Sequence, residues 1–207
     1  MVEALDLLDD SQLQFLLLSA CVGMPRFNFQ LRVSPPEKIA FAIEKFDDVM
    51  YDAIRALFGN CPLTSDDLDR ISLPISKSGF GIGLAKHTAQ AAYVGSVFHS
   101  ISLQAKLLSS VSDEQELVEH YTPLLQRFNA DLPLDKQIPT SDLLASCEPQ
   151  HLLSSASVSR RVEAFVSSRE TPREQRVVEA ALKCDNQCRK YYLFTHCNTT
   201  DQNKRQP

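Results

Sequence analysis

The stretch LPISKSGFGIGLAKHTAQAAYVGS, Leu73 to Ser96, decides how the chain is read. GFGIG holds three of the six glycines in 207 residues, so backbone freedom is wanted at this point. A phosphate-cradling loop would imply a preceding strand and an α/β fold. The spacing does not fit one. The third glycine comes one residue too early for G-x-G-x-x-G, and no Gly-Lys-Ser/Thr follows. ISLPI, the segment where the strand would lie, contains Pro74, which cannot donate to a central ladder. The physical reading is a tight loop built around Gly79, Gly81 and Gly83 that lets two helices approach closely. Beyond it, Ala89, Ala92, Tyr93, Val97, Ile101 and Leu108 recur at helical spacing, which predicts a helix from Ala85 to about Ser109.

The same period and its stop signals recur on both sides of this stretch. Ser11 follows two aspartates and precedes Leu13, Leu16, Leu17 and Ala20, which predicts a capped helix ending near Gly23–Pro25. Ser34-Pro35-Pro36-Glu37 reads as a start, with a Ser cap, a proline in the first turn and an acid beside the helix dipole. Ile39, Ile43, Phe46, Met50, Ala53, Ile54 and Leu57 carry that helix from Pro35 to Phe58, and Gly59 closes it. Thr64-Ser-Asp-Asp caps a short helix towards Arg70. Ser112-Asp-Glu-Gln caps one reaching about Phe128, and Thr140 starts another near Leu143. A helix is expected from His151 to Ser168, and the Thr171-Pro172-Arg-Glu174 capping box opens one more. No stretch alternates with period two. The expected fold is all-α, an irregular bundle of six to eight helices with a glycine-rich interhelical turn. Residues 1–132 form the first helical unit, 133–183 a further segment packed on it, and 184–207 a disordered tail.

Composition narrows the class. Hydrophobic residues make up 43% and charged residues 23%, as in globular chains. The net charge of −5 does not favour an overall polyanion or membrane-surface binder. The charge is uneven: residues 160–207 carry ten Lys/Arg against six Asp/Glu, and the remainder is acidic. The apolar run Leu13–Val22 is broken by Gln14 and Ser19 and is too short to span a bilayer. No membrane partner is expected, and the setting is a reducing intracellular one, cytoplasmic or nuclear. Cys21, Cys61 and Cys147 read there as ordinary thiols.

Several residue groups invite a chemical reading. Lys45-Phe-Asp-Asp-Val-Met50 places paired aspartates after an aromatic, as in magnesium-holding polymerase turns. Here the pair falls inside a helix, and Asp47 and Asp48 are expected to face solvent. The tail offers Cys184, Cys188, His196 and Cys197. Cys-x3-Cys has zinc-ligand spacing, whereas the adjacent His-Cys fits a tetrahedral site poorly, and free thiols are the alternative. His87, beside Lys86 at a helix start, reads as a surface residue or a phosphate contact. The five histidines form no catalytic arrangement, and no cofactor is expected.

The glycine segment resembles one found after the polymerase core of reverse-transcriptase-like open reading frames in non-LTR retroelements. ISLPISKSGFGIGLAKHTAQAAYVGSV is similar to their Leu-Pro-x-x-x-Gly-Gly-Leu-Gly-Leu then Ala-Ala-Tyr pattern. LLLSACVGMPRFNFQLRVSPP is similar to their Cys-x-Gly-x-Pro-Arg, Leu-Arg-x-x-Pro-Pro segment, and FDDVMYDAIRALFG to the Phe-Asp helix that follows. The likeness covers roughly residues 11–110, continues weakly to TPREQRVVEAAL and is lost after Cys184. Phe80 stands where the family has a second glycine, and Lys77 and Lys86 are not typical of it. The resemblance implies the thumb and connecting region alone, a truncated element or a derived cellular copy. The metal-binding palm would lie upstream, so no enzymatic activity is expected of this chain. Its partners would be RNA or DNA and an upstream polymerase core. Phosphate contacts would come from Arg26, Arg32, Lys77 and Lys86, with Arg26 and Arg32 flanking the Phe27–Leu31 stretch that joins two helices. The alternative is a helical protein-interaction module with no nucleic-acid role, which the net charge of −5 favours.

Overall fold

The computed structural model describes residues 5, 7, 8, 10–108, 113–168, 175, 176 and 180. The described residues are all-α: α1 Ser11–Leu17, α2 Met24–Val33, α3 Ala40–Leu57, α4 Ser65–Ile71, α5 Ala85–Leu107, α6 Glu114–Ala130, α7 Thr140–Ala145 and α8 Pro149–Ser167. The Thr171–Glu174 capping box and Cys184, Cys188, His196 and Cys197 lie outside the described residues.

Local chemistry explains the boundaries. The carboxylate of Asp10, rather than Ser11, caps α1 by accepting the Gln12 and Leu13 amides at 2.8 and 3.2 Å. From Leu18 to Val22 the helix widens into a π-type turn that ends at Gly23. The Phe27–Leu31 stretch, expected to join two helices, lies inside a helix of its own, α2. Pro25 sits in its first turn, where no amide is missed. Met24, Phe27 and Leu31 make its inward stripe, with Phe27 stacked on Phe46 at 4.7 Å between centroids and Leu31 fully buried. α3 begins at Ala40, not at Pro35. Ser34 and Pro35 each precede a proline, which drives them to ψ near +131°, and a 3₁₀ turn at Pro36–Lys38 intervenes. Thr64 and Asp67 form a reciprocal capping box on α4. Asp113 caps α6 through the Glu116 amide.

α5 is the axis of the molecule. It packs against α2, α3, α6, α7 and α8. Its buried residues, among them Ala89, Ala91, Ala92, Val94 and Gly95, surround it on all sides, as a central helix requires. Ala85, Ala89 and Ala92 meet Leu31 of α2 and Ile43 of α3. Phe98 and Ile101 meet Leu117, Leu125 and Phe128 of α6, Leu143 of α7 and Leu153 of α8. A third cluster joins Leu18, Met50, Ile54, Ile71, Ile82 and Leu84.

The glycine segment links α4 to α5 by folding back on itself. The Gly79 and Gly81 amides bond the Pro74 and Leu73 carbonyls at 3.1 and 2.9 Å. Gly81 has φ +74°, a conformation that glycine reaches cheaply. A Cβ on Gly79 would stand 2.0 Å from the Leu73 carbonyl oxygen, and one on Gly83 would stand 2.7 Å from Met24 Cγ of α2. Phe80 packs edge-on against Phe15 and Phe58, wedged between α1 and the end of α3. No described helix is long and apolar enough to cross a membrane.

Candidate nucleic-acid interface

Asp47 departs most from its expected place. It is 4% exposed, and its two carboxylate oxygens accept the amides of Ala85 and Lys86 at 2.6 and 3.0 Å. It therefore caps α5 from another helix and sits on the positive end of the α5 dipole. Burial pushes its carboxyl above the usual range, and the two amides and the Lys86 charge pull it back. Asp48 does face solvent, where it pairs with Lys45 at 3.3 Å. The solvent placement expected of the pair thus holds for Asp48 and fails for Asp47, because the bare N-terminus of α5 needs an acceptor that no residue beside it supplies.

His87 is likewise turned inward. Its Nε2 is buried without a hydrogen-bond partner, 3.7 Å from an Asp69 carboxylate oxygen. Burial first, then the charges of Arg161 and Lys86, lower its pKa to about 3, so the imidazole is neutral and the contact is no ion pair. Arg161 crosses from α8 to donate to Ser72 Oγ and to the Asp69 carbonyl. Arg160 pairs with Asp131 at 3.7 Å. These two arginines of the basic final segment are engaged within the fold.

The four cations named from sequence are all exposed. Lys77 ends the 3₁₀ turn before the glycines. Lys86 reaches over the Tyr51 ring, 5.4 Å from its centroid, in a groove of about 530 Å³ between α3, α5 and α6. Its walls carry Glu37, Glu44, Asp47 and Asp48 along with Lys86 and Arg127, and Glu37 pairs with Arg127 at 3.6 Å. The groove therefore holds more carboxylates than cations, which does not favour a polyanion, and none of the other three cations lines it.

Arg26 and Arg32 share the outer face of α2. Neither pairs with a carboxylate among the described residues. The sequence explains why: between Asp10 and Glu37 there is no acidic residue, so α2 is a locally cationic element in an acidic chain. Between the two arginines stands Phe29, 71% exposed. Sequence reading missed Phe29 because α2 was read as a connection. The available clue was the three-residue spacing of Arg26, Phe29 and Arg32, opposite in phase to Met24, Phe27 and Leu31. No protein-family model, curated protein or solved structure matches this chain.

Proposed function

We propose that this chain is a non-catalytic helical module of the kind it resembles, the thumb and connecting region of a retroelement reverse transcriptase, and that it meets nucleic acid weakly through phosphates. The observation that carries this reading is the outer face of α2, where two exposed arginines stand unpaired among the described residues on a segment without carboxylates. Such a face attracts a polyanion even though the whole chain is acidic. The engagement of Asp47 with two backbone amides supports reading Phe-Asp-Asp as architecture rather than as a metal-holding pair.

Fluorescence anisotropy with a labelled RNA–DNA hybrid tests the proposal. Binding is expected in the non-specific range, Kd about 10⁻⁴–10⁻⁶ M at physiological salt. Two phosphates neutralised by Arg26 and Arg32 give a log–log salt slope of about −2. Arg26→Glu or Arg32→Glu should weaken binding and flatten that slope by about one. Absence of binding at low salt overturns the reading in favour of a protein-interaction module.

A further inference from the structure

We infer that the outer face of α2 is a base-stacking platform for single-stranded nucleic acid, with Phe29 under a base and Arg26 and Arg32 on the neighbouring phosphates. The inference rests on the proposed function and narrows it from nucleic acid in general to unpaired strands.

The geometry follows from helix periodicity. Arg26 and Arg32 lie three residues before and three after Phe29, so each stands about 60° from it around the axis, on opposite sides, and about 4.5 Å along it. Phe27 and Leu31, two residues away, fall on the opposite face and are held in the core by Phe46 and by the alanines of α5. The ring is thus carried on a fixed backbone and presented to solvent between two cations. An exposed phenylalanine costs hydrophobic burial that the fold leaves untaken; its neighbours three residues away are the two cations, and those four residues away are exposed Pro25 and Val33, which widen the apolar surface around the ring. In a duplex the base faces are already stacked, so only unpaired bases offer the ring a partner. Aromatic rings interleaved with cations bind single strands through this combination, without reading sequence.

Phe41 supplies an internal control. It is as exposed, at 72%, but it stands in the first turn of α3 with Glu44 three residues on and Lys45 already over its ring at 5.9 Å.

The test is anisotropy of the full chain with three labelled probes: oligouridine, oligodeoxythymidine and an RNA–DNA hybrid duplex. Both single strands are expected to bind more tightly than the duplex and equally well, because neither stacking nor phosphate contact reads the 2′-hydroxyl. Phe29→Ala should weaken single-strand binding about five- to a hundredfold and leave duplex binding unchanged. Phe29→Tyr should retain single-strand binding, Phe29→Leu should behave as Phe29→Ala, and Phe41→Ala should have no effect. Circular dichroism of each variant is expected to match the parent, since the ring is outside the core. If Phe29→Ala leaves single-strand binding intact while Arg26→Glu weakens every probe, stacking is overturned and the phosphate reading stands. A dependence on the 2′-hydroxyl overturns the sugar-blind platform. If no probe binds at low salt, both readings fall and the face is left to a protein partner.

Discussion

At the scale of a residue, Asp47 shows how much one carboxylate can organise. It joins the middle of α3 to the first turn of α5 by two hydrogen bonds across 38 and 39 residues of chain. Asp47→Ala is expected to destabilise the protein by about 2–3 kcal/mol, since a charged acceptor is lost and the buried Ala85 amide is left bare. Asp47→Asn keeps one acceptor and should cost less. Asp48→Ala, removing only an exposed pair with Lys45, should stay within about 0.5 kcal/mol. Urea unfolding of the three variants checks the order. Asp47 was legible in principle. It lies four residues after Ile43 and three before Met50, on the apolar stripe of α3, and an acid on that stripe requires a buried donor. Its charge pointed the reading to solvent instead, and the donor, lying on another helix, is invisible to a period count. His87 repeats the lesson, four residues before buried Ala91. Its folded pKa of about 3 lies below the ordinary 6.5, so between those values the unfolded chain holds a proton that the folded one refuses. Stability therefore falls as pH drops from 6.5 towards 3, by up to about 1.4 kcal/mol per unit, and is unaffected above 6.5. His87→Gln should remove that share of the acid sensitivity, read from urea unfolding at neutral pH and near pH 5. Equal pH dependence of variant and parent would exclude it.

At the scale of an element, the legible features were those written in local chemistry. The period of α3, the cap of α4, the start of α5 at Ala85 and the short α7 followed from spacing and capping residues. α2 did not, because its inward stripe is only Met24, Phe27 and Leu31, too short for periodicity to stand out between two prolines and two arginines. The start of α3 was misplaced because two successive prolines act on the residue before each of them, an effect stronger than the helix-start preference of Ser-Pro. Gly95 in α5 is a third case. Nothing in its local sequence marks it, yet a Cβ there would stand 2.5 Å from the Gln150 backbone Cα of α8. Alanine is the better helix former by about 1 kcal/mol. Gly95→Ala is nevertheless expected to lower stability by at least about 1 kcal/mol, because the two helices must separate to admit one methyl group. A higher melting temperature for Gly95→Ala would show that α8 yields freely.

At the scale of the whole molecule, the all-α architecture could be anticipated from helix signals alone, whereas the candidate site could be anticipated only in part. Arg26 and Arg32 were nominated by position, and their sharing one face of one helix with Phe29 emerged only with α2 itself. The segment around 160, expected to add basic surface, spends Arg160 and Arg161 on contacts to Asp131, Ser72 and the Asp69 carbonyl. Charge counting cannot tell a cation used internally from one offered outward. The central position of α5 carries a further consequence for the timing of solvent access. With α2, α3, α6, α7 and α8 all leaning on it, its middle amides have no local opening that leaves the rest intact. In deuterium labelling followed by mass spectrometry, peptides spanning 89–101 should be the last to take up label, at the rate of global unfolding. α1, at the rim of the bundle, should exchange long before them.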